Sequence, residues 1–325
     1  MNPALPNTDK LNILRKGGMN PAIPNTDKLN ISRKGGVNRL PSWFRQDIPD
    51  DKTLNLGHLF SEFGVHTVCQ EARCPNITYC FKNKKVTFMI LGDICTRSCG
   101  FCGVNKTETQ VLTLHEDEPE RISQIVKMLD LEYVVITSVT RDDLPDDGAA
   151  HFAKCIELIH EINRNIRVEV LIPDFQGKIT SLKCVLDASP QVLSHNIETV
   201  RRLYKDLRPQ AHYRLSLEIL KRTKELQPSI TTKSSIMLGL GEAEREVITA
   251  LEDLRENQCD ILTLGQYLAP SLNHYPVKEF ISIGQFQKYY EISIALGFKT
   301  VLSGPLIRSS YNAEDIYQEA SLCMI

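Results

Sequence analysis

The chain has 325 residues, 42% hydrophobic and 24% charged, with a formal net charge of −2. That is the balance of a soluble globular protein of one large or two ordinary domains, with no basic excess for nucleic acid. No run of about 18 apolar residues is present to span a membrane.

The first 36 residues are a tandem repeat, MNPALPNTDKLNILRKGG followed by MNPAIPNTDKLNISRKGG. Only Leu5/Ile23 and Leu14/Ser32 differ. Two such units are too short and too polar for a solenoid, so a mobile tail is expected. The start lacks an apolar leader, carries Asp9, and is poor in arginine. It fits neither a secretory nor a transit peptide, and a cytoplasmic location is expected. Ten cysteines in such a chain argue for metal binding or thiol chemistry rather than disulfides.

Residues 37–84 hold RLPSWFRQDIP, a short helical stretch near Leu56–Phe63, and the trio Cys69-x4-Cys74-x5-Cys80. From Lys85 the pattern changes. Apolar runs of strand length recur at VTFMIL (86–91), YVVITSV (133–139), IRVEVLI (166–172), QVLSHN (191–196), SIMLGL (235–240) and DILTLGQYL (260–268). KTVLSG (299–304) is a seventh candidate. Amphipathic helix patterns lie between them: PERISQIVKMLDL, AAHFAKCIELIHEI, ETVRRLYKDL, YRLSLEILKRTKEL, EREVITALEDLREN and GQFQKYYEISIALG. This alternation predicts an α/β fold with a parallel sheet, best drawn as a partial (β/α)6 barrel of the TIM type. No Gly-x-Gly-x-x-Gly turn follows the first strand, which removes the usual reason to prefer a dinucleotide-binding sheet. The expected division is a tail (1–36), an N-terminal extension (37–84), a barrel core (85–304) and a C-terminal segment (305–325).

A second trio, Cys95-x3-Cys99-x2-Cys102, sits in the loop after the first strand, where barrels place active sites. Iron–sulfur clusters normally take four protein ligands, so three thiolates leave one iron open. An open metal position marks a catalytic site, whereas a zinc ribbon takes paired C-x2-C units totalling four ligands. Neither trio completes such a set locally. Cys155, Cys184, Cys259 and Cys323 are isolated, and Cys155 among Phe152, Ile156 and Ile159 reads as a packed thiol.

C-x3-C-x2-C after the first strand of a partial barrel resembles the radical S-adenosylmethionine (SAM) superfamily. The companion HTVCQEARCPNITYCF narrows the resemblance to the lipoyl synthases. VVITSVTRDDLPDDGAAHF, VEVLIPDF, SHNIETVRRLY, TKSSIMLGLGE and GPLIRSSYNA resemble that family too, in order, from about Arg39 to Ala313. An enzyme resembling biotin synthase and a non-enzymatic zinc or iron–sulfur module are the competing readings. The CPN-x3-C context and the RSSY ending speak against the former.

The resemblance implies two [4Fe–4S] clusters. Cys95, Cys99 and Cys102 would hold one, whose open iron binds SAM and whose electron cleaves it to a 5′-deoxyadenosyl radical. Cys69, Cys74 and Cys80 would hold an auxiliary cluster, with a serine of RSSY as fourth ligand: Ser310, or the adjacent Ser309. The radical would remove hydrogen from C6 and C8 of an octanoyl group on a lipoyl carrier protein or lipoyl domain, and the auxiliary cluster would supply two sulfurs. SAM contacts would come from Phe101, Thr137, Ser138, Asn196, Glu198, Gly239, Gly241 and Glu242. An electron donor of ferredoxin or flavodoxin type, a cluster-rebuilding factor and a monomeric state are further expectations. The chain departs from the family pattern at Thr78-Tyr79, usually small or acidic, and at Asp147 and Ser235, where glycines are common. Arg201, Arg202, Lys205 and Arg208 share one predicted helix. They form either a solvated face or a docking patch for an acidic carrier.

Overall fold

The computed structural model describes residues 41–44, 50–106 and 113–322. The tandem repeat and Cys323 lie outside them. The Asp50 carboxylate accepts from Thr53 N at 3.0 Å and starts α1 (Asp51–Glu62) earlier than the apolar pattern indicated. The chain continues through β1 (His66–Thr67), α2 (Val68–Glu71), α3 (Ile77–Lys82) and β2 (Thr87–Ile90). Phe60 of α1 meets Phe81 of α3 and Phe88 of β2 edge-on, at 5.5 and 6.1 Å between ring centres. These contacts seat the extension on the barrel.

There follow α4 (Glu118–Leu129), β3 (Tyr133–Ser138), α5 (Ala149–Ile162), β4 (Arg167–Leu171), α6 (Ile179–Asp187) and β5 (Val192–Ser194). Next come α7 (Tyr204–Leu207), α8 (Tyr213–Leu226), β6 (Thr231–Leu238), α9 (Glu244–Glu256) and β7 (Ile261–Gln266). The chain closes with α10 (Ile283–Ala295), β8 (Thr300–Gly304) and α11 (Ala313–Leu322).

The sheet runs β1 to β8 in chain order, with β1 antiparallel to β2 and every later pair parallel. Sequential parallel winding with helical crossovers is barrel topology. β1 and β8 end the order unpaired with each other, so the barrel is open. The seventh strand candidate is β8. Helix faces such as Ile122, Ile125 and Val126 of α4, and Phe152, Ile156 and Ile159 of α5, are buried. Cys155 is packed among them as expected.

Two further elements depart from the sequence pattern. β6 begins at Thr231, before the apolar run, because its polar start is buried and paired: Lys233 Nζ lies 2.8 Å from Glu169 of β4. Glu169 also accepts from Tyr133 Oη and Ser194 Oγ, at 2.8 and 3.2 Å. ETVRRLYKDL does not form the expected helix. It becomes a 3-10 turn (Arg201–Leu203) and the single turn α7, because Leu203, Tyr204, Leu207 and Arg208 all turn inward. No helix among the described residues is long and apolar enough to cross a membrane.

The Lys233–Glu169 pair yields a stability prediction. Lys233→Ala leaves a buried carboxylate without its cation and should lower stability by roughly 3–5 kcal/mol in denaturant unfolding. The double variant Lys233→Met/Glu169→Leu should recover most of that loss. Equal instability of the two variants would contradict the pairing.

Candidate active site

The Cys95–Cys102 loop leaves the barrel through a left-handed turn at Leu91 (φ 69°) and Gly92 (φ 84°). The buried Glu118 carboxylate, at the start of α4, accepts from Leu91 N at 2.7 Å and from His151 Nε2 at 2.8 Å. Ile94–Cys95 pairs with Asn105–Lys106 and closes the loop at its base. Thr96 donates from N and Oγ1 to Thr140 O at 3.0 and 2.9 Å. Arg97 then spreads over two carboxylates. Its Nε and Nη2 donate to Asp142 at 2.7 and 2.8 Å, and its Nη1 and Nη2 to Asp174 at 2.8 and 2.6 Å. On the far side Gly100 N donates to Leu207 O at 2.8 Å, and His274 Nε2 to Cys102 O at 3.1 Å. Cys95 Sγ accepts N–H groups from Arg97 and Thr140 at 3.4 and 3.3 Å. Such donors favour a thiolate and tune a cluster bound to it.

The first trio is shaped by its own short helices. Thr67 caps α2, which carries Cys69, while Cys74 N donates to Cys69 O at 3.0 Å and Cys80 sits in α3. Burial, and then the neighbouring thiols, push both Cys69 and Cys80 up to about 12. In the second trio burial pushes Cys102 up to about 11, with Cys99 also raised. These are thiols that a metal must deprotonate on binding. Among the described residues no His, Cys, Asp and Glu groups gather tightly enough for a single metal ion. A lone ion would need its thiolates at about 2.3 Å; a four-iron cluster spreads them over separate irons. The nine described cysteines are all free thiols.

A cavity of about 750 Å³ joins the two regions. That volume is within the ~300–1,000 Å³ of small-molecule sites. Cys69, Cys74 and Cys80 line it, as do Cys102, Phe101 and both serines of RSSY, Ser309 and Ser310. Thr137, Ser138, Asn196 and Glu198 line its barrel side. Ser138 Oγ and Asn196 Oδ1 are buried there without a protein partner, as groups awaiting a polar ligand would be. Thr137 Oγ1 is engaged, donating to Leu171 O at 3.0 Å. Glu198 has a left-handed backbone (φ 64°) and accepts from Asn196 Nδ2 at 3.0 Å. Burial raises its carboxyl, and the Arg208 charge opposes that. The donor set suits SAM, whose amine, carboxylate and hydroxyls need polar partners in a largely apolar pocket.

The Gly239, Gly241 and Glu242 loop is not among the cavity-lining residues. Glu242 spends its carboxylate on Gly239 N and Leu240 N, at 2.5 and 2.8 Å. Gly239 (φ +92°) is required because a Cβ would stand 2.3 Å from Glu279 O. Of the four cations grouped for docking, Arg201 and Lys205 are exposed. Arg202 is exposed but forked onto Glu246 at 2.7 and 2.8 Å. Arg208 is only 9% exposed, and its Nη1 donates to Asn196 O, Ile197 O and Tyr204 Oη. It braces the cavity wall and is not available to a partner. The shared-helix pattern failed because that helix does not form.

Arg97, Asp142 and Asp174 were missed in the sequence. An arginine between two cysteines of the second trio, and aspartates just past two strand ends, were the available signals. Asp147 stands where the family commonly has a second glycine, and its φ of 55° explains that glycine. Lys178 Nζ at 3.0 Å and Gln176 Nε2 at 2.7 Å hold it there.

The radical SAM superfamily matches residues 89–254. The lipoyl synthase of Caldicellulosiruptor bescii is 51% identical over 276 residues, covering 85% of this chain and 94% of that protein. The chain belongs to the lipoyl synthase family. The lipoyl synthase of Aquifex aeolicus is 52% identical over 262 residues, covering 81% of this chain and 94% of that protein. Among solved structures, the [FeFe]-hydrogenase maturase HydG aligns with a TM-score of 0.52 at 17% identity, covering 72% of this chain and 53% of that one. Streptococcus suis SuiB bound to its precursor peptide aligns with a TM-score of 0.53 at 14% identity, with the same coverage. These two share the fold. Radical SAM membership implies a [4Fe–4S] cluster and SAM.

His195, at the end of β5, is 1% exposed. Its Nδ1 donates to Ile172 O at 2.9 Å, and its Nε2 has no protein partner. Burial, joined by the Arg208 charge, holds it down at about 4. The unfolded chain takes this proton near pH 6.5, the folded chain only near 4, so stability falls as pH drops through that window. Unfolding midpoints measured from pH 7 to 4 should fall less steeply in His195→Gln than in the unchanged chain. Parallel curves would contradict the assignment.

Proposed function

We propose that this chain inserts two sulfur atoms, at C6 and C8, into an octanoyl group carried on a lipoyl protein or domain. Family membership supports the activity. One structural observation carries the detail: the whole first trio, Cys102 of the second and the RSSY serines border the same cavity. Cys95, Cys99 and Cys102 would hold the SAM-binding [4Fe–4S] cluster. Cys69, Cys74, Cys80 and Ser310 would hold the auxiliary one. When bound, these groups supply an electron, an organic radical that abstracts hydrogen from unactivated carbon, and the sulfur.

Saturated C–H bonds offer a general base or nucleophile nothing to act on, so the hard chemistry belongs to the cofactors. The protein's residues orient and exclude. Ser138, Asn196 and Glu198 present polar atoms to SAM, while Met89, Val135, Leu171, Met237 and Ile307 give the acyl chain an apolar wall. Closing radical chemistry inside a walled cavity limits side reactions with water. The Gly239–Glu242 loop would reach SAM through its backbone, if at all, since Glu242 is already engaged.

The cycle needs an outside electron and replacement of the spent sulfur. A ferredoxin- or flavodoxin-type donor and a cluster-rebuilding factor would provide them. A reducing compartment, the cytoplasm, suits nine free thiols. The four-part division of the chain and a monomeric state remain part of this proposal. Arg201 and Lys205 are what is left of the docking patch.

In a single turnover under anaerobic conditions, the reconstituted chain should add two sulfurs to an octanoylated lipoyl-domain peptide, read by mass. Cys80→Ala should still form deoxyadenosine from SAM but add no sulfur. Sulfur insertion by Cys80→Ala, or none by the unchanged chain, would overturn the reading.

A further inference from the structure

Tyr79 precedes the third cysteine of the first trio, and Tyr311 follows Ser310. Their rings stack, with centroids 5.7 Å apart and planes 26° from parallel. The stack therefore sets the backbone beside Cys80 against the backbone beside Ser310. Two further ties flank it. Asn76 Nδ2 donates to Leu306 O at 2.6 Å, across 230 residues of chain. Lys85 Nζ donates to Asn312 Oδ1 at 3.0 Å and pairs with Asp315 at 2.9 Å. Lys85 N in turn donates to Cys80 O at 2.8 Å, so the cation is anchored to the trio itself.

These contacts join segments that no β-ladder connects. The RSSY turn follows β8 at one end of the sheet order, while α3 precedes β2 at the other. The barrel is open between those ends, so side chains must close the gap. Tyr79 is 41% exposed, more than a ring held only for core packing would be. Its ring contact is with Tyr311.

We propose that the Tyr79–Tyr311 stack, with Lys85 on Asn312 and Asp315, is a clasp. It holds the Ser310 turn onto the cysteine trio and sets how readily the auxiliary cluster is released. This rests on the two-cluster reading above. Tyr79 and Lys85 are positioning residues: they touch the segments that carry ligands, not the reacting atoms. With the clasp open, Ser310 swings away and exposes an iron to solvent. A cluster whose fourth ligand is a hydroxyl depends on such support, because serine binds iron less firmly than thiolate.

The test uses the full chain with Cys95, Cys99 and Cys102 replaced by alanine, reconstituted anaerobically so that only the auxiliary cluster is present. Iron release to a ferrous chelator is followed by absorbance. Opening of the stack should quicken release in Tyr79→Ala by about fivefold, the factor that an aromatic pair of this kind contributes. Tyr79→Phe, which keeps the stacked rings and loses only the hydroxyl contact with Tyr311, should release more slowly than Tyr79→Ala. Lys85→Met should quicken release independently of Tyr79. The companion chain lacking Cys69, Cys74 and Cys80 should release its iron at one rate with or without Tyr79→Ala. Parent-rate release in both Tyr79→Ala and Lys85→Met overturns the clasp. So does equal acceleration at both clusters, which marks general loosening. If the parent chain binds no cluster on Cys69, Cys74 and Cys80, the two-cluster reading itself falls, and the clasp with it.

Discussion

The active-site end of this barrel depends on where one guanidinium lies. Arg97 is 6% exposed and donates to four carboxylate oxygens, two on Asp142 and two on Asp174. Burial pushes the Asp174 carboxyl up, but the Arg97 fork outweighs it and holds that group at about 2. The same carboxylates raise the guanidinium against its own burial. A planar fork suits this task in a way an ammonium does not. Three loops, after β2, β3 and β4, are thereby locked together. Cys95, Cys99 and Cys102 belong to the first, so the placing of that loop, with Cys102 at the cavity, follows from the second and third.

The other side of the cavity is built on a different principle. An open barrel has two free sheet ends, and the N-terminal extension and the RSSY turn meet across them. Phe60 fixes the extension to β2, while Tyr79, Asn76 and Lys85 fix it to the C-terminal turn. The first trio thus sits on a surface assembled from both ends of the chain. The Cys95 loop is gripped by buried charge; the Cys69 region is gripped by rings and partly exposed polar contacts. The weaker grip lies where the proposed auxiliary cluster would give up its sulfur and be renewed.

Much of this was legible in the sequence for a physical reason. Strand runs such as VTFMIL and YVVITSV are mostly apolar, without in–out alternation, because parallel barrel strands are buried on both faces. AAHFAKCIELIHEI and YRLSLEILKRTKEL show a clear helical stripe, and they fold over those residues, as α5 and α8. The cysteine spacings carried the cluster assignment. What stayed hidden depends on tertiary pairing. TTKS reads as polar, yet Lys233 is buried by an ion pair with a strand far earlier in the chain. ETVRRLYKDL reads as an amphipathic helix, but the wall of the cavity needs Tyr204 and Arg208 facing inward. Asp174 and Arg97 look like ordinary loop charges until the fold brings them to 2.6 Å. Short elements such as α2 and α3 carry too few residues for a periodic signal.

The claim that Arg97 seats the catalytic loop is tested most directly by Arg97→Lys. A single ammonium cannot serve both carboxylates, so the loop loses its register. After anaerobic reconstitution, iron per chain should fall to about half, with the Cys69 cluster kept and the Cys95 cluster lost. Deoxyadenosine formation from SAM should fall with it. Full iron content together with undiminished deoxyadenosine formation in Arg97→Lys would contradict the account.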